Sequence, residues 1–309
     1  MNHDQNIAVV TGGAGFIGSH LVDLLLARGY EARVVDNLIA GKRERVPAAA
    51  AFFDADIRDA EALKEAFAGV RFVFHLAALP RVQDTIEHPA ETHDTNVTGT
   101  LQVLEAARAA GAARVVFASS AAIYGDNEHT PLREDEPPEP LSPYALHKLI
   151  SEQYLRLYAK IFNLRTTSLR FFNVYGPRFD PEGPYALVVG RFLKLSKEGR
   201  PLTIVGDGEQ MRDYVHVSDV ARALLAAAES DALGAGEVVN IGTGIATSVN
   251  ALAGHFGGEK VYLPPRLEPR TSVADISRAR ELLGWAPSVT LADGIVELKK
   301  EHVSPILSS

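Results

Sequence analysis

A chain of 309 residues, 46% of them hydrophobic and 23% charged, has enough apolar material for one large domain or two unequal ones. With 39 acidic against 31 basic side chains its formal charge is −8, which argues against the broad positive surface that non-specific nucleic-acid binding needs, and zero cysteines exclude disulfides, thiolate metal sites and a cysteine nucleophile. No apolar run reaches the ~20 residues that span a bilayer, and Met1-Asn2-His3-Asp4-Gln5 does not read as a signal peptide, so a cytoplasmic protein without a membrane partner is expected.

Ile7-Ala8-Val9-Val10 reads as a strand, Thr11-Gly12-Gly13-Ala14-Gly15-Phe16-Ile17-Gly18 as a turn, and residues 19–26 as a helix. A strand, a glycine turn and a helix N-terminus make a phosphate site, because bare N–H groups and the positive end of the helix dipole face the anion. In that reading Gly12 permits the turn, Gly15 lets a pyrophosphate approach, Gly18 packs helix on strand, and Phe16 and Ile17 border the ligand. The spacing is G-x-x-G-x-x-G rather than G-x-G-x-x-G, and such a turn can also be a plain connection; the flanking strand and helix favour a dinucleotide.

Residues 31–36 form a second strand ending in Asp36, placed to accept hydrogen bonds from the adenosine ribose. An acid there repels a 2′-phosphate, so NAD is expected over NADP, although Lys42 and Arg43 follow closely; the lesser alternative is that Asp36 starts a turn before Asn37. After a short strand at 51–53, Asp56 and Ile57 are candidates for the adenine. A helix at 60–67 and a strand at 71–76 follow, the strand ending in Leu76-Ala77-Ala78, where a cofactor could lie against backbone. His75 reads as a packing histidine, since no second metal ligand stands at a useful spacing. A helix over 89–110 and a strand over 113–119, with Ser119 and Ser120 at its end, continue the alternation. That rhythm predicts an α/β fold, a doubly wound, Rossmann-like parallel sheet whose ligand crevice lies at the strands' carboxyl ends.

The acidic, proline-rich stretch 134–140 is a loop delivering the chain to Ser142-Pro143, a helix-starting pair that places Tyr144 and Lys148 on one helix face. An ammonium one turn from a phenol favours the phenolate, and a nearby serine hydroxyl can orient an alcohol or relay its proton. Another strand spans 165–171, after which the regular alternation fails. A smaller α/β substrate domain over about 173–217 and 243–309 is expected, with 1–172 plus about 218–242 forming the cofactor domain.

In this order the motifs resemble the extended short-chain dehydrogenase/reductase family, the NAD-dependent sugar-nucleotide epimerases and dehydratases. The matching pieces include the glycine turn, Val35-Asp36-Asn37-Leu38, His75-Leu76-Ala77-Ala78, Ser119-Ser120 with Ile123-Tyr124-Gly125, and Tyr144 with Lys148. Residues 170–177, Arg212-Asp213-Tyr214-Val215-His216-Val217 and Val273-Ala274-Asp275 extend the likeness over nearly the whole chain. The resemblance implies bound NAD, with Ser120, Tyr144 and Lys148 catalytic. It further implies Asn173 on substrate, Arg178 as a weaker substrate candidate, and Arg212 with an arginine from the pair Arg266 and Arg270 on a diphosphate. The stretch 266–270 is one residue shorter than the family's usual one. After Ser120 come Ala121 and Ala122, where the family's dehydratases and decarboxylating members carry acids. Without those proton carriers, elimination is disfavoured, and reversible C4 epimerisation of a UDP-hexose is implied. A 4,6-dehydratase, a uronate decarboxylase or a non-catalytic NAD sensor remain the rivals. Ser272 stands where glucose/galactose-restricted relatives carry tyrosine, so acetamido sugars are expected to fit; Pro181-Glu182-Gly183-Pro184-Tyr185-Ala186 resembles strings in N-acetylhexosamine epimerases. By the same analogy, helices around 90–110 and 147–162 imply a homodimer.

Overall fold

The computed structural model describes residues 6–179, 188–265 and 269–303. The first part of the chain runs β1 (Ile7–Thr11), α1 (Phe16–Ala27), β2 (Glu31–Asp36), β3 (Ala51–Asp54), α2 (Ala60–Ala66) and β4 (Phe72–His75). It continues through α3 (Val82–Glu87), α4 (Pro89–His93), α5 (Gly99–Ala109), β5 (Arg114–Ser120), α6 (Pro143–Phe162) and β6 (Thr166–Phe171). Then come β7 (Asn173–Tyr175), α7 (Val188–Lys197), β8 (Leu202–Val205), β9 (Met211–Arg212), β10 (Tyr214–His216), α8 (Val217–Glu229) and β11 (Ala235–Ile241). The last elements are β12 (Thr247–Ser248), α9 (Val249–Phe256), β13 (Lys260–Leu263), β14 (Thr271–Ser272), α10 (Ser277–Leu283) and α11 (Leu291–Val303).

Seven strands pair in parallel in the order β11-β6-β5-β4-β1-β2-β3. The strands read as unbroken apolar runs because both faces are covered. Val10, Val34, Phe74 and Val116 pack under α1 and α8, while their neighbours Val9, Val35, Val73 and Val115 pack under α2, α5 and α6. From β1 the chain winds one way through β2 and β3 and the other way through β4 and β5. A crevice therefore opens between the carboxyl ends of β1 and β4.

Where one helix was expected over 89–110, the structure has α4, a π turn over Asp94–Thr98 and α5. The wider turn draws Asn96 inward, where its amide accepts from Leu79 N at 2.7 Å and donates to Leu79 O at 3.0 Å. The Asn96 carbonyl is thereby free to accept from the hydroxyls of Thr100 and Ser151.

Beyond β6, the small sheets β7/β10, β12-β9-β14 and β8/β13 build a second region with its own core, including Tyr175, Phe192, Ile204, Leu252 and Leu298. Two buried aspartates knot its loops. Asp213 accepts from the backbone of Thr243, Gly244 and Ala274, and Asp219 accepts from that of Ser288 and Val289.

Candidate active site

A cavity of about 520 Å³ opens at the crevice. At one end lies the glycine turn. Gly12 has φ of 72°, and a Cβ there would sit 2.7 Å from Ala77 N; one on Gly18 would sit 2.2 Å from Gly12 O. Helix α1 starts at Gly15 with no side-chain cap and no acid in its first turn, so its leading N–H groups and its dipole are left for an anion. Gly15, Phe16 and Ile17 line the cavity with Gly12 and Gly18.

Asp36 ends β2 beside this turn. One carboxylate oxygen accepts from Ala14 N at 3.0 Å, the other from Leu38 N at 2.9 Å. Burial raises its pKa and these hydrogen bonds oppose the rise. A Cβ on Gly41 would lie 2.7 Å from its Oδ1, so the turn after β2 closes directly over the carboxylate. Asn37, Ile57, Leu76, Ala77 and Ala78 also line the cavity, as do Lys42 and Arg45, of which the sequence signalled only Lys42. Asp56 is placed differently. It receives Arg58 through both oxygens and Asn37 through one, and the Arg58 hydrogen bonds hold its carboxyl down at about 2, while its neighbours Ala55 and Ile57 line the cavity.

At the other end stand Tyr144 and Lys148. Ser142 caps α6 by accepting from Ala145 N at 3.2 Å and Pro143 occupies the first turn, which fixes both side chains toward the carboxyl end of β5. The buried Lys148 donates from Nζ to Ala118 O at 2.6 Å and lies 5.7 Å from the centre of the Tyr144 ring. Ser120 ends β5 and caps the short turn Ala121–Tyr124 by accepting from Ala122 N. Its hydroxyl also favours the ionised form of the Tyr144 phenol.

The lowered phenol pKa expected from the Tyr–Lys spacing is not what the protein frame produces by itself. Burial pushes Tyr144 up to about 12, opposed by Ser120, and pulls Lys148 down to about 7, opposed by Glu152. Desolvation disfavours both charged forms. His75 lies behind the pair, bonded to Thr11 Oγ1 at 2.8 Å and Thr100 Oγ1 at 2.9 Å; it is a packed core histidine. Among the described residues, no group of three or more His, Asp or Glu is placed to hold a metal ion.

The substrate candidates divide. Ser272 is the register partner of Arg212 across β14 and β9, so the two stand side by side. Asn173 opens β7 and donates to Asp213 O at 3.0 Å. Arg270 makes an exposed double hydrogen bond to Asp207. Arg178, in a left-handed backbone conformation with φ of 62°, turns to Asp23 of α1 while its own N–H meets Glu301 of α11. It ties elements together, a role its place in the motif did not reveal. Arg266 and residues 181–186 lie outside the described residues. Phe179, unforeseen, crosses Phe16 edge-on at 5.3 Å and lines the cavity.

Residues 8–242 match the model of the NAD dependent epimerase/dehydratase family. The chain belongs to that family. The chain is 42% identical to a UDP-glucose 4-epimerase of Mycolicibacterium smegmatis, over 94% of this chain and 96% of the relative. It superposes with a TM-score of 0.91 on the UDP-glucose 4-epimerase of Thermotoga maritima solved with UDP-glucose, at 43% identity over 96% and 98% of the two chains. The UDP-N-acetylglucosamine 4-epimerase of Methanobrevibacter ruminantium, solved with UDP-N-acetylmuramic acid, gives 0.92 at 33% identity over 97% and 98%.

Proposed function

We propose that this family member interconverts UDP-hexoses at C4 through a transient 4-keto sugar, using tightly bound NAD. The observation that carries the reading is the joining, in one cavity, of a bare helix N-terminus and ribose carboxylate with a Tyr–Lys pair. The cradle fits the cofactor. The close approaches at Gly12 and Gly18 leave no room for a side chain between turn and strand, and Asp36 keeps a carboxylate where a ribose would lie. NAD+ bound there supplies a hydride acceptor for C4 and a cationic ring whose charge favours a phenolate.

Tyr144 takes the proton of the C4 hydroxyl and later returns it, with Ser120 orienting that hydroxyl and Lys148 balancing the phenolate. Arg212 anchors the diphosphate while the sugar turns over, so that either face of the keto sugar can be presented. Ala121 and Ala122 place no proton carrier after Ser120, which disfavours the dehydratase and decarboxylase readings. Ser272 beside Arg212 leaves room for a 2-acetamido group, and the likeness to the M. ruminantium enzyme supports UDP-GlcNAc/UDP-GalNAc beside UDP-Glc/UDP-Gal. The exposed Leu146, Leu157 and Ile161 on one face of α6 support a homodimer through that helix.

The test is chromatography and mass spectrometry after incubation with UDP-Glc and UDP-GlcNAc. Epimers of unchanged mass are expected, and Tyr144→Phe should cut the rate by about 10²–10⁴-fold. A product of altered mass, or full activity in the phenylalanine variant, overturns the reading.

A further inference from the structure

We infer that Glu152 is a positioning residue for the Tyr144–Lys148 pair, a buried carboxylate that locks α6 onto the ends of β5 and β6 and faces the lysine with its charge. The inference rests on the functional reading above. Glu152 is 3% exposed and lies one helical turn beyond Lys148, as Lys148 lies one turn beyond Tyr144. Its Oε1 accepts from Ser119 Oγ at 2.6 Å and from Arg170 Nε at 2.9 Å, and its Oε2 accepts from Arg170 Nη2 at 2.8 Å. Ser119 and Arg170 are register partners across β5 and β6, so one carboxylate grips both strands.

Two consecutive residues of β5 are thereby hydrogen-bonded to two positions one turn apart on α6. Ala118 holds Lys148 through its carbonyl and Ser119 holds Glu152. A shift of helix against strand would break both links together. The ion pair is a poor device for stability alone, since a buried pair can often be replaced by packed apolar groups without loss. Its placement is what an apolar substitute would not reproduce.

The electrostatic setting narrows what Glu152 does. The groups around Lys148 are Tyr144 and His147 on its own helix, His75 from β4, and Arg170 from β6 acting through Glu152; His93 from α4 lies against His147. Burial holds His75 down at about 3 and His147 at about 4, so both are neutral through the working range. Glu152 is then the facing anion that favours the ammonium against the pull of burial.

The measurement is the pH profile of kcat in Glu152→Gln and Glu152→Asp, with KM followed alongside. In Glu152→Gln the alkaline limb, where the ammonium is lost, should move to lower pH by half a unit or more. Its kcat at pH 8 should fall about tenfold with KM within twofold. Glu152→Asp should restore the limb. If the cation left on Arg170 prevents Glu152→Gln from folding, the doubly neutral Glu152→Gln/Arg170→Gln variant is read for the same loss of kcat at unchanged KM. A folded variant with parental kcat and an unmoved limb overturns the inference. Tyr144→Phe, run in parallel, separates the two failures: if it is inactive while the Glu152 variants match the parent, only this inference falls, whereas its retained activity would sink the functional reading itself.

Discussion

At the residue scale the proposed substrate breadth turns on Ser272. It sits in β14 opposite Arg212 in β9, the residue proposed to hold the diphosphate. In that proposal a phenol at 272 would take the room of a 2-acetamido group. Ser272→Tyr should lower kcat/KM for UDP-GlcNAc at least tenfold, about 1.4 kcal/mol, while leaving UDP-Glc within a few-fold. Equal loss on both sugars would show that 272 does not read the C2 substituent. Residue-scale readings from sequence succeeded where the local pattern fixes the environment: Ser142-Pro143 can hardly do other than start a helix, and Tyr144 and Lys148 follow from it. They did not foresee partners that tertiary contacts supply. Arg178 meets Asp23 from a left-handed backbone, and Asp56 receives Arg58 two residues on. Glu152 gave no signal, because a glutamate within a helix ordinarily faces water.

At the level of elements, strand–turn–helix and the alternation of β with α were legible because a two-sided parallel sheet writes itself as apolar runs separated by amphipathic helices. The π turn in Asp94–Thr98 was not, since one extra residue in a turn barely disturbs helical periodicity. The glycine turn yields the firmest element-scale expectation. A methyl group on Gly18 would meet Gly12 O at 2.2 Å, so helix α1 must move off the turn that aims it. Gly18→Ala should cost about 1–3 kcal/mol of stability and strip most of the bound nicotinamide. Differential scanning calorimetry and the nicotinamide content of the purified protein check it; parental Tm with full cofactor would refute it.

For the molecule as a whole, acid acts through buried imidazoles, His75 and His147 foremost. Fully buried between two threonines, His75 is held down at about 3 against 6.5 when free. Below pH 6.5 the unfolded chain takes up a proton that the folded one refuses, so stability falls as pH drops from about 6.5 toward 3 and is fully retained above that window. By pH 5 the difference is about 2 kcal/mol at 1.36 kcal/mol per unit. His75→Asn should therefore show a shallower loss of Tm between pH 7 and 5 than the parent; parallel curves would mean that other groups carry the acid sensitivity.

The return of β11 to the main sheet has a consequence for how the chain can be divided. The strand pairs with β6 only after some sixty residues spent elsewhere, and α8 travels with it to cover α1. A fragment stopped at residue 172 would expose the backbone edge of β6 and leave the apolar side of α1 bare, both invitations to aggregate. The main sheet is thus no detachable cassette: its last stave is supplied from beyond the small sheets, so the first 172 residues are not expected to stand alone.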